Sequence, residues 1–376
     1  MAHAYTPGLK VTAFTKLHRE RKLPLTGNVL VEVGQAVRAE SVVARTELPG
    51  NVHSVNVANL LGILPEDVEE CLAKPVGSTV QKGEAIAESR SFFGLFKSKC
   101  PAPVSGTIES VSSVTGQVLV REAPIPVEVD AYVDGTVVEV HPGQGVTVET
   151  EGTFIQGIFG VGGETRGVVH MAVPAPDQSL AESQVGPEAK GKVLIGGAHV
   201  TTAVLKKARA MGAAAVVTGG FDDQDLRELL GYDLGVAITG SEELGITLIV
   251  TEGFGDIPMA GRTFDLLRTC EGRTASVTGA TQIRAGVLRP EILVPRSRSD
   301  VPPADAANGS GEEGLTVGSL IRVIRQPYFG RLGAVTALPP ELVPLETEAK
   351  VRVLEVDFGN GTRVLLPRAN VEMIES

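Results

Sequence analysis

The sequence predicts a multidomain protein that is mainly β, with one block of alternating strands and helices in its middle. Its 376 residues are enough for two to three domains of ordinary size. Its 44 Gly and 23 Pro indicate many turns and few long helices. Hydrophobic residues make up 43% of the chain but aromatic residues only 4%, so the cores must be built from small aliphatic side chains.

Two segments, residues 173–191 and 295–314, are rich in Pro, Ser, Asp and Gly and have no hydrophobic periodicity. This composition is typical of linkers between domains. The two linkers divide the chain into three predicted domains, residues 1–172, 190–294 and 315–376.

Charge and cysteine content exclude several classes of function. The net charge of −11 argues against a surface that binds a polyanion throughout, and the scarcity of rings argues against stacking on single-stranded nucleic acid. Cys71, Cys100 and Cys270 are too far apart for a zinc or iron–sulfur motif, so no metal is expected. The N-terminus has no apolar signal segment and no apolar stretch is long enough to span a membrane, so we expect a cytoplasmic protein with no membrane partner.

The first block, residues 1–172, is predicted to be β almost throughout, because short alternating apolar runs are separated by Gly and Pro. One inserted helix is expected over residues 56–74, where apolar residues recur at helical spacing after Pro65. Three segments share a Gly-x-x-Val core followed by a later Ile or Val, which indicates a repeated hairpin. These segments are residues 31–45, 74–89 and 140–155.

The middle of this block resembles the biotinyl/lipoyl-type barrel-sandwich hybrid domain. The residues that carry the resemblance are Gly77, Val80, Lys82, Gly83, Ile86 and Ala87, followed by Pro101, Ala102, Pro103, Gly106 and Ile108. The resemblance implies two small sheets around a thin core. Carrier members of the family hold a modifiable lysine at a hairpin tip, where this chain has residues 89–99 with Lys97 and Lys99 in a different context. We therefore expect the rigid-platform form of the fold.

Phe92, Phe93 and Phe96 lie close together in a protein that is poor in rings. Exposed aromatic clusters often mark contact sites, so these residues are candidates for partner binding. The alternative is that the loop folds back and the rings cover the core.

The second block, residues 190–294, alternates apolar strands with amphipathic helices. This order predicts a small α/β domain of Rossmann-like or swivelling type with a mostly parallel sheet. In such sheets ligands bind at the carboxyl ends of the strands. The candidate ligand-binding residues at these ends are Gly196, Gly197, His199, Thr201, Thr218, Gly219, Gly220, Asp222, Thr239, Gly240 and Glu242.

We expect any ligand of these loops to be an anion held by backbone N–H groups after Gly197 and Gly220, because the loops contain no Lys or Arg. Helix capping is the alternative explanation for the Ser, Thr and Asp residues. Two further alternatives are a divalent cation on the acidic residues near Asp222 and general acid or base chemistry by His199. The sequence has no nucleotide-binding glycine motif, so no cofactor and no catalytic residue is predicted.

The third block, residues 315–376, is predicted to form five short strands, two of them joined by a tight turn at residues 359–361. It resembles the KOW-type SH3-like barrel. The resemblance rests on Gly318, Ile321, Val323, Ile324, Pro327, Tyr328, Phe329, Gly330, Gly333 and Val335, and on the terminal strand 364–372. In KOW domains this turn region meets RNA or a protein. The candidate partner-binding residues are Arg325, Tyr328, Phe329 and Arg331.

These observations favour a non-enzymatic cytoplasmic scaffold or adaptor that docks on a larger assembly of the transcription or translation machinery. Residues 315–376 contain seven Arg or Lys and seven acidic residues, whereas autonomous nucleic-acid modules are basic. A protein assembly is therefore the expected partner, with RNA or a nucleoprotein as the alternative. The alternative function is an enzyme or sensor that binds a small anionic metabolite in the Gly-rich loops of the second block.

Overall fold

The protein is mainly β: of the residues that the structure describes, 48% lie in strands and 14% in helices. The computed structural model describes residues 9–91, 96–230, 244–281, 288–301, 315–323, 325, 327–328, 331–340, 342–344, 350–359 and 363–373.

The strands in chain order are β1 (Val11–Lys22), β2 (Asn28–Val29), β3 (Ala36–Val37), β4 (Val42–Leu48), β5 (Val52–Asn56), β6 (Thr79–Val80), β7 (Ala85–Ser91), β8 (Phe96–Pro101), β9 (Gly106–Val111), β10 (Gln117–Arg121), β11 (Ile125–Asp130), β12 (Gly135–His141), β13 (Gly145–Gln156), β14 (Phe159–Val161), β15 (Glu164–Met171), β16 (Lys192–Ile195), β17 (Ala215–Phe221), β18 (Thr247–Phe254), β19 (Thr274–Thr278), β20 (Glu291–Pro295), β21 (Leu320–Val323), β22 (Leu332–Ala337), β23 (Leu342–Pro344), β24 (Lys350–Asp357), β25 (Arg363–Pro367) and β26 (Val371–Met373). The α-helices within the described residues are α1 (Val57–Leu61), α2 (Thr202–Ala210), α3 (Asp223–Leu230) and α4 (Gly261–Arg268).

One large sheet forms the centre of the molecule, in the order β14-β18-β17-β16-β15-β19-β20-β13-β12-β3, with β1 also paired to β13. Its strands come from both sides of the linker at residues 173–191, since β15 pairs in parallel with β16. The boundary predicted between the first two blocks therefore does not separate two sheets.

Strands β15, β16, β17 and β18 are parallel to one another. At the two sides of this group, β19 pairs antiparallel with β15 and β14 pairs antiparallel with β18. Every residue of β17 is buried. Such a strand has no polar face because it is covered on both sides, which explains its continuous apolar run. Thr201 caps the start of helix α2, since its side chain accepts a hydrogen bond from the Val204 amide.

Besides the part of it that belongs to the core of the large sheet, the first block contains two further buried clusters. An inner unit, residues 51–122, is built on the sheet β5-β10-β9-β6 and the hairpin β7-β8 and has its own buried cluster. An outer unit, formed by β2, β3, β4, β11 and β12, packs its cluster against β13 of the large sheet. The motif that resembles biotinyl/lipoyl domains lies wholly in the inner unit.

The long helix expected over residues 56–74 is absent, and this prediction was wrong. Helix α1 ends at Gly62, which has a left-handed backbone with φ of +65°, and a separate 3-10 turn begins at Pro65. Gly ends a helix readily because it adopts positive φ without steric cost, and Pro removes a backbone donor.

Tyr132 joins the outer unit to the large sheet. It is the one non-glycine residue with positive φ in the described part of the chain, at +67°. The Arg21 guanidinium lies 5.3 Å from the centre of its ring, and the Ser276 hydroxyl donates a hydrogen bond to its carbonyl. These contacts hold Tyr132 in a conformation that costs free energy in isolation.

The C-terminal block forms a separate sheet in the order β23-β24-β22-β21-β26, with β25 paired to β24. It has six strands in the described residues rather than the expected five, around its own apolar cluster. Strands β24 and β25 pair antiparallel on either side of the predicted turn at 359–361. Over the described residues of the whole chain, no helix is long and apolar enough to cross a membrane.

Candidate functional site

The Gly-rich loops after β16 and β17 lie side by side, but their amides already have acceptors. The Ala198 amide donates to Gln178, and the amides of Gly219 and Gly220 donate to the carbonyls of Gly197 and Ala198 at 2.6 and 2.7 Å. These three amides therefore offer no free donor to an anion.

Close backbone packing explains the glycines of these loops. A Cβ on Gly219 would lie 2.3 Å from the Ile257 carbonyl oxygen, and one on Gly220 would lie 1.9 Å from that of Gly255. The segment after β18 thus passes directly over the end of β17, where a side chain has no space. This contact explains why these two positions are glycines.

The polar residues near these loops mainly cap helices. The Asp225 carboxylate accepts from the Thr202 amide at 2.9 Å, at the start of α2. His199 Nε2 lies 3.3 Å from Asp222 Oδ2, without the alignment of a hydrogen bond. Thr218, which is buried, donates to the Gly220 carbonyl. The remaining candidates lie outside the described residues; they are Thr239, Gly240 and Glu242.

A cleft does lie beside the carboxyl end of β18, between the large sheet, the start of α4 and the C-terminal block. It is lined by Leu9, Val11, Gln156, Thr251, Glu252, Ala260, Arg262, Thr263, Arg322 and Met373. We call it the junction cleft. None of its lining residues belongs to the candidate ligand set predicted from the sequence.

A buried ion pair forms one wall of the junction cleft. Arg322 Nη2 on β21 lies 2.5 Å from Glu252 Oε2 on β18, and the two side chains are only 2% and 8% exposed. The other carboxylate oxygen, Glu252 Oε1, accepts a hydrogen bond from the Ala260 amide at 3.0 Å. Burial removes water from both charges, so each depends on the other for stabilisation. The pair connects the C-terminal block to the large sheet.

Two aromatic rings and an arginine form a contact surface on the C-terminal block. The rings of Tyr328 and Phe358 lie 5.5 Å apart, and the Arg331 guanidinium lies 4.3 Å from the Phe358 ring centre and 5.9 Å from that of Tyr328. Both rings are half-buried against the core, while Arg331 is exposed. We call these three residues the aromatic–arginine surface.

Of the predicted partner-binding residues in this block, Arg325 is exposed and Tyr328 and Arg331 belong to the aromatic–arginine surface. Phe329 lies outside the described residues. Sequence reasoning missed Phe358, which precedes the predicted turn at 359–361. The scarcity of aromatic residues could have pointed to Phe358, since each of the few rings in this block is a candidate member of one cluster.

The predicted docking tip belongs to the hairpin β7-β8. The two strands stay paired up to Ser91 and Phe96. Phe92 and Phe93 lie outside the described residues, and the backbone of Phe96 begins β8. Near the base of the hairpin, Lys99 forms an ion pair with Glu88 at 2.9 Å.

Comparison with known proteins assigns the chain to no group. No protein-family model matches it, and no curated protein shows significant similarity to it. Within the described residues, no group of three or more His, Cys, Asp and Glu side chains is placed to hold a metal ion. The function must therefore be argued from the surfaces themselves.

Proposed function

We propose that the protein is a non-enzymatic cytoplasmic scaffold or adaptor that binds a protein partner through the aromatic–arginine surface. The observation that carries the proposal is the exposed Arg331 guanidinium stacked on the rings of Phe358 and Tyr328. Arginine and aromatic residues dominate the binding energy of protein interfaces. A guanidinium held on a ring has already lost part of its conformational freedom, so less is lost when a partner binds.

The finer fold assignments belong to the same proposal. We take the first block as a barrel-sandwich hybrid. The inner unit supports this assignment, because it contains the whole motif that resembles biotinyl/lipoyl domains. Residues 190–294 are taken as an α/β domain, supported by the parallel pairing of β16, β17 and β18 with α2 between the first two. Residues 315–376 are taken as a KOW-type SH3-like barrel, supported by the six antiparallel strands and their separate core.

A protein is favoured over RNA as the partner because of how the rings are used. Tyr328 and Phe358 pack against each other, and Arg331 covers their outer side. A base that stacks on the ring face under Arg331 would first have to displace the guanidinium. Two of the other arginines of the block are used inside the protein: Arg368 donates to the carbonyls of Val353 and Pro339, and Arg322 is buried in its ion pair with Glu252.

The experiment that tests the proposal places a photo-crosslinking residue at the exposed position 325 and isolates the products from cells. We expect one dominant protein adduct, reduced at least about tenfold by Arg331→Ala. The matched control is Arg363→Ala, since Arg363 is 64% exposed in the same block and lies between Glu355 and Asp357. The control should leave the adduct unchanged.

The salt dependence of the same adduct separates the two partner classes. A protein contact centred on the stacked rings should weaken only mildly between 50 and 200 mM salt, whereas phosphate contacts would lose affinity steeply over that range. An adduct that disappears after nuclease treatment, or that responds equally to Arg331→Ala and Arg363→Ala, would overturn the proposal.

A further inference from the structure

Three aliphatic side chains are exposed to solvent at one end of the inner unit. Leu60 on α1 is 61% exposed, Leu64 is 60% exposed and Val114 is 85% exposed. Val114 is the most exposed of the large apolar side chains that the structure describes. Single exposed apolar residues are common on protein surfaces, whereas a group of them marks a contact site.

The backbone brings these three side chains to one surface. Gly116, two residues after Val114, packs against the start of α1. Its carbonyl accepts hydrogen bonds from the amides of Val57 and Ala58, at 3.0 and 3.2 Å. A Cβ on this glycine would lie 2.3 Å from the Cβ of Ala58 and 3.4 Å from the Cα of Pro65. The turn that carries Val114, helix α1 and the 3-10 turn after Leu64 are therefore direct neighbours.

Four exposed carboxylates follow the second leucine; they are Glu66, Asp67, Glu69 and Glu70. None of them forms an ion pair with a residue that the structure describes. Lys74, the nearest lysine in sequence, lies 2.5 Å from Glu84, and residues 46–73 contain no Lys or Arg. Residues 110–120, which include Val114, contain no charged side chain at all. The acidic–leucine surface, as we call it, consists of Leu60, Leu64, Val114, Glu66, Asp67, Glu69 and Glu70.

The charge of the acidic–leucine surface determines which partner it fits. Carboxylates without counter-ions repel nucleic acids and anionic membranes, and they attract Lys and Arg side chains. A second copy of the chain, with its net charge of −11, is repelled as well. The aliphatic side chains gain free energy when apolar groups cover them. The complementary partner is therefore a protein segment that has basic and apolar side chains on the same side.

We infer that the acidic–leucine surface docks a basic amphipathic helix of a protein partner. Such a helix has an apolar stripe flanked by charged residues, so one side of it offers both kinds of contact. Its stripe covers Leu60, Leu64 and Val114, and its Lys and Arg side chains pair with the carboxylates beside them. This surface belongs to the inner unit, so it is a second docking site, distinct from the aromatic–arginine surface of the C-terminal block.

Fluorescence anisotropy of a labelled peptide of Leu and Lys, titrated with the full chain, tests the inference. The peptide has about 18 residues, or five helical turns, with Leu at helical spacing. One control peptide has the same composition in shuffled order, and another has Glu in place of Lys. We expect saturable binding of the helical peptide, binding of the shuffled peptide at least about tenfold weaker, and no binding of the Glu peptide.

Apolar variants locate the contact on the protein. The double variant Leu60→Ala/Leu64→Ala should weaken binding of the helical peptide about tenfold or more. Both positions are exposed, so the urea midpoint should stay that of the parent chain. Val114→Ser, in the turn beside α1, provides a second apolar variant and should also weaken binding. The matched control is Leu365→Ala, because Leu365 is 55% exposed in the C-terminal block, and it should bind the peptide like the parent chain.

Charge variants test the carboxylates. The double variant Glu66→Gln/Asp67→Asn should weaken binding and should reduce its loss between about 50 and 200 mM salt, because fewer ion pairs remain to be screened. Glu128→Gln, at an exposed position on β11, is the control and should leave both unchanged. The inference is refuted if the helical peptide shows no saturable binding, if the shuffled peptide binds equally well, or if the control variants weaken binding as much as the surface variants.

Discussion

Removing one charge of the buried pair between Arg322 and Glu252 should destabilise the junction far more than removing both. Two unit charges about 4 Å apart attract by about 4 kcal/mol at the effective dielectric constant near a protein surface. Transfer of each charge out of water costs several kcal/mol, which offsets the attraction. Because the two side chains are only 2% and 8% exposed, neither charge can recover water when its partner is lost.

We therefore expect Arg322→Met and Glu252→Leu each to lower the free energy of unfolding by about 3 to 5 kcal/mol. The double variant should recover most of this loss, although the Ala260 amide still lacks its acceptor at about 1 kcal/mol. The exposed Arg363 provides the control, since Arg363→Met should change stability by less than about 0.5 kcal/mol.

Urea titration combined with hydrogen exchange measures these effects locally, because peptides from β18 and β21 report the two sides of the junction separately. In each single variant, the amides of both peptides should exchange faster with solvent, and to a similar degree. Additive effects of the two substitutions, with a coupling energy below about 0.5 kcal/mol, would refute the idea that these charges stabilise each other.

Three further predictions concern buried positions. Tyr132→Phe should raise the free energy of unfolding by about 1 kcal/mol, because the buried hydroxyl has no partner among the described residues and the ring contact with Arg21 is kept. Burial also raises the pKa of this phenol. A loss of stability in urea titration would contradict the prediction. Gly220→Ala should cost about 3 kcal/mol in the same assay because its Cβ would meet the Gly255 carbonyl, whereas Gly163→Ala, with open space around the Cβ, should be nearly neutral. Burial raises the pKa of the Cys100 thiol, so iodoacetamide at pH 8 should label Cys100 only after unfolding, as mass spectrometry would detect.

Local sequence signals were sufficient for elements that are determined by their own residues. The continuous apolar run of β17 and the Thr201 cap of α2 are visible in the sequence because burial and capping act over a few residues. The helix predicted over residues 56–74 was wrong for an equally local reason. Gly62 ends α1 and Pro65 starts a separate 3-10 turn, so the apolar spacing after Pro65 does not continue a helix.

The junction cleft was not predictable in this way. Arg322 lies between Ile321 and Val323 in an alternating strand, a pattern that places an arginine on the solvent side. The Arg322 side chain is nevertheless buried, in an ion pair with Glu252 of β18, which is 70 residues away in sequence. A charge paired across such a distance has the same local pattern as a surface charge. The continuation of the large sheet across residues 173–191 was likewise not predictable, because local sequence does not show that β15 pairs with β16.

The chain leaves and re-enters the outer unit at adjacent points. Leu48, the last residue of β4, pairs with Ile125, the first residue of β11, and the whole inner unit lies between them. An insertion whose two ends meet imposes little on its host, as with domain insertions at surface turns. Residues 51–122 therefore form an insertion in the outer unit. A short turn in their place, or another compact module joined at the same two points, would leave the pairing of β4 with β11 intact.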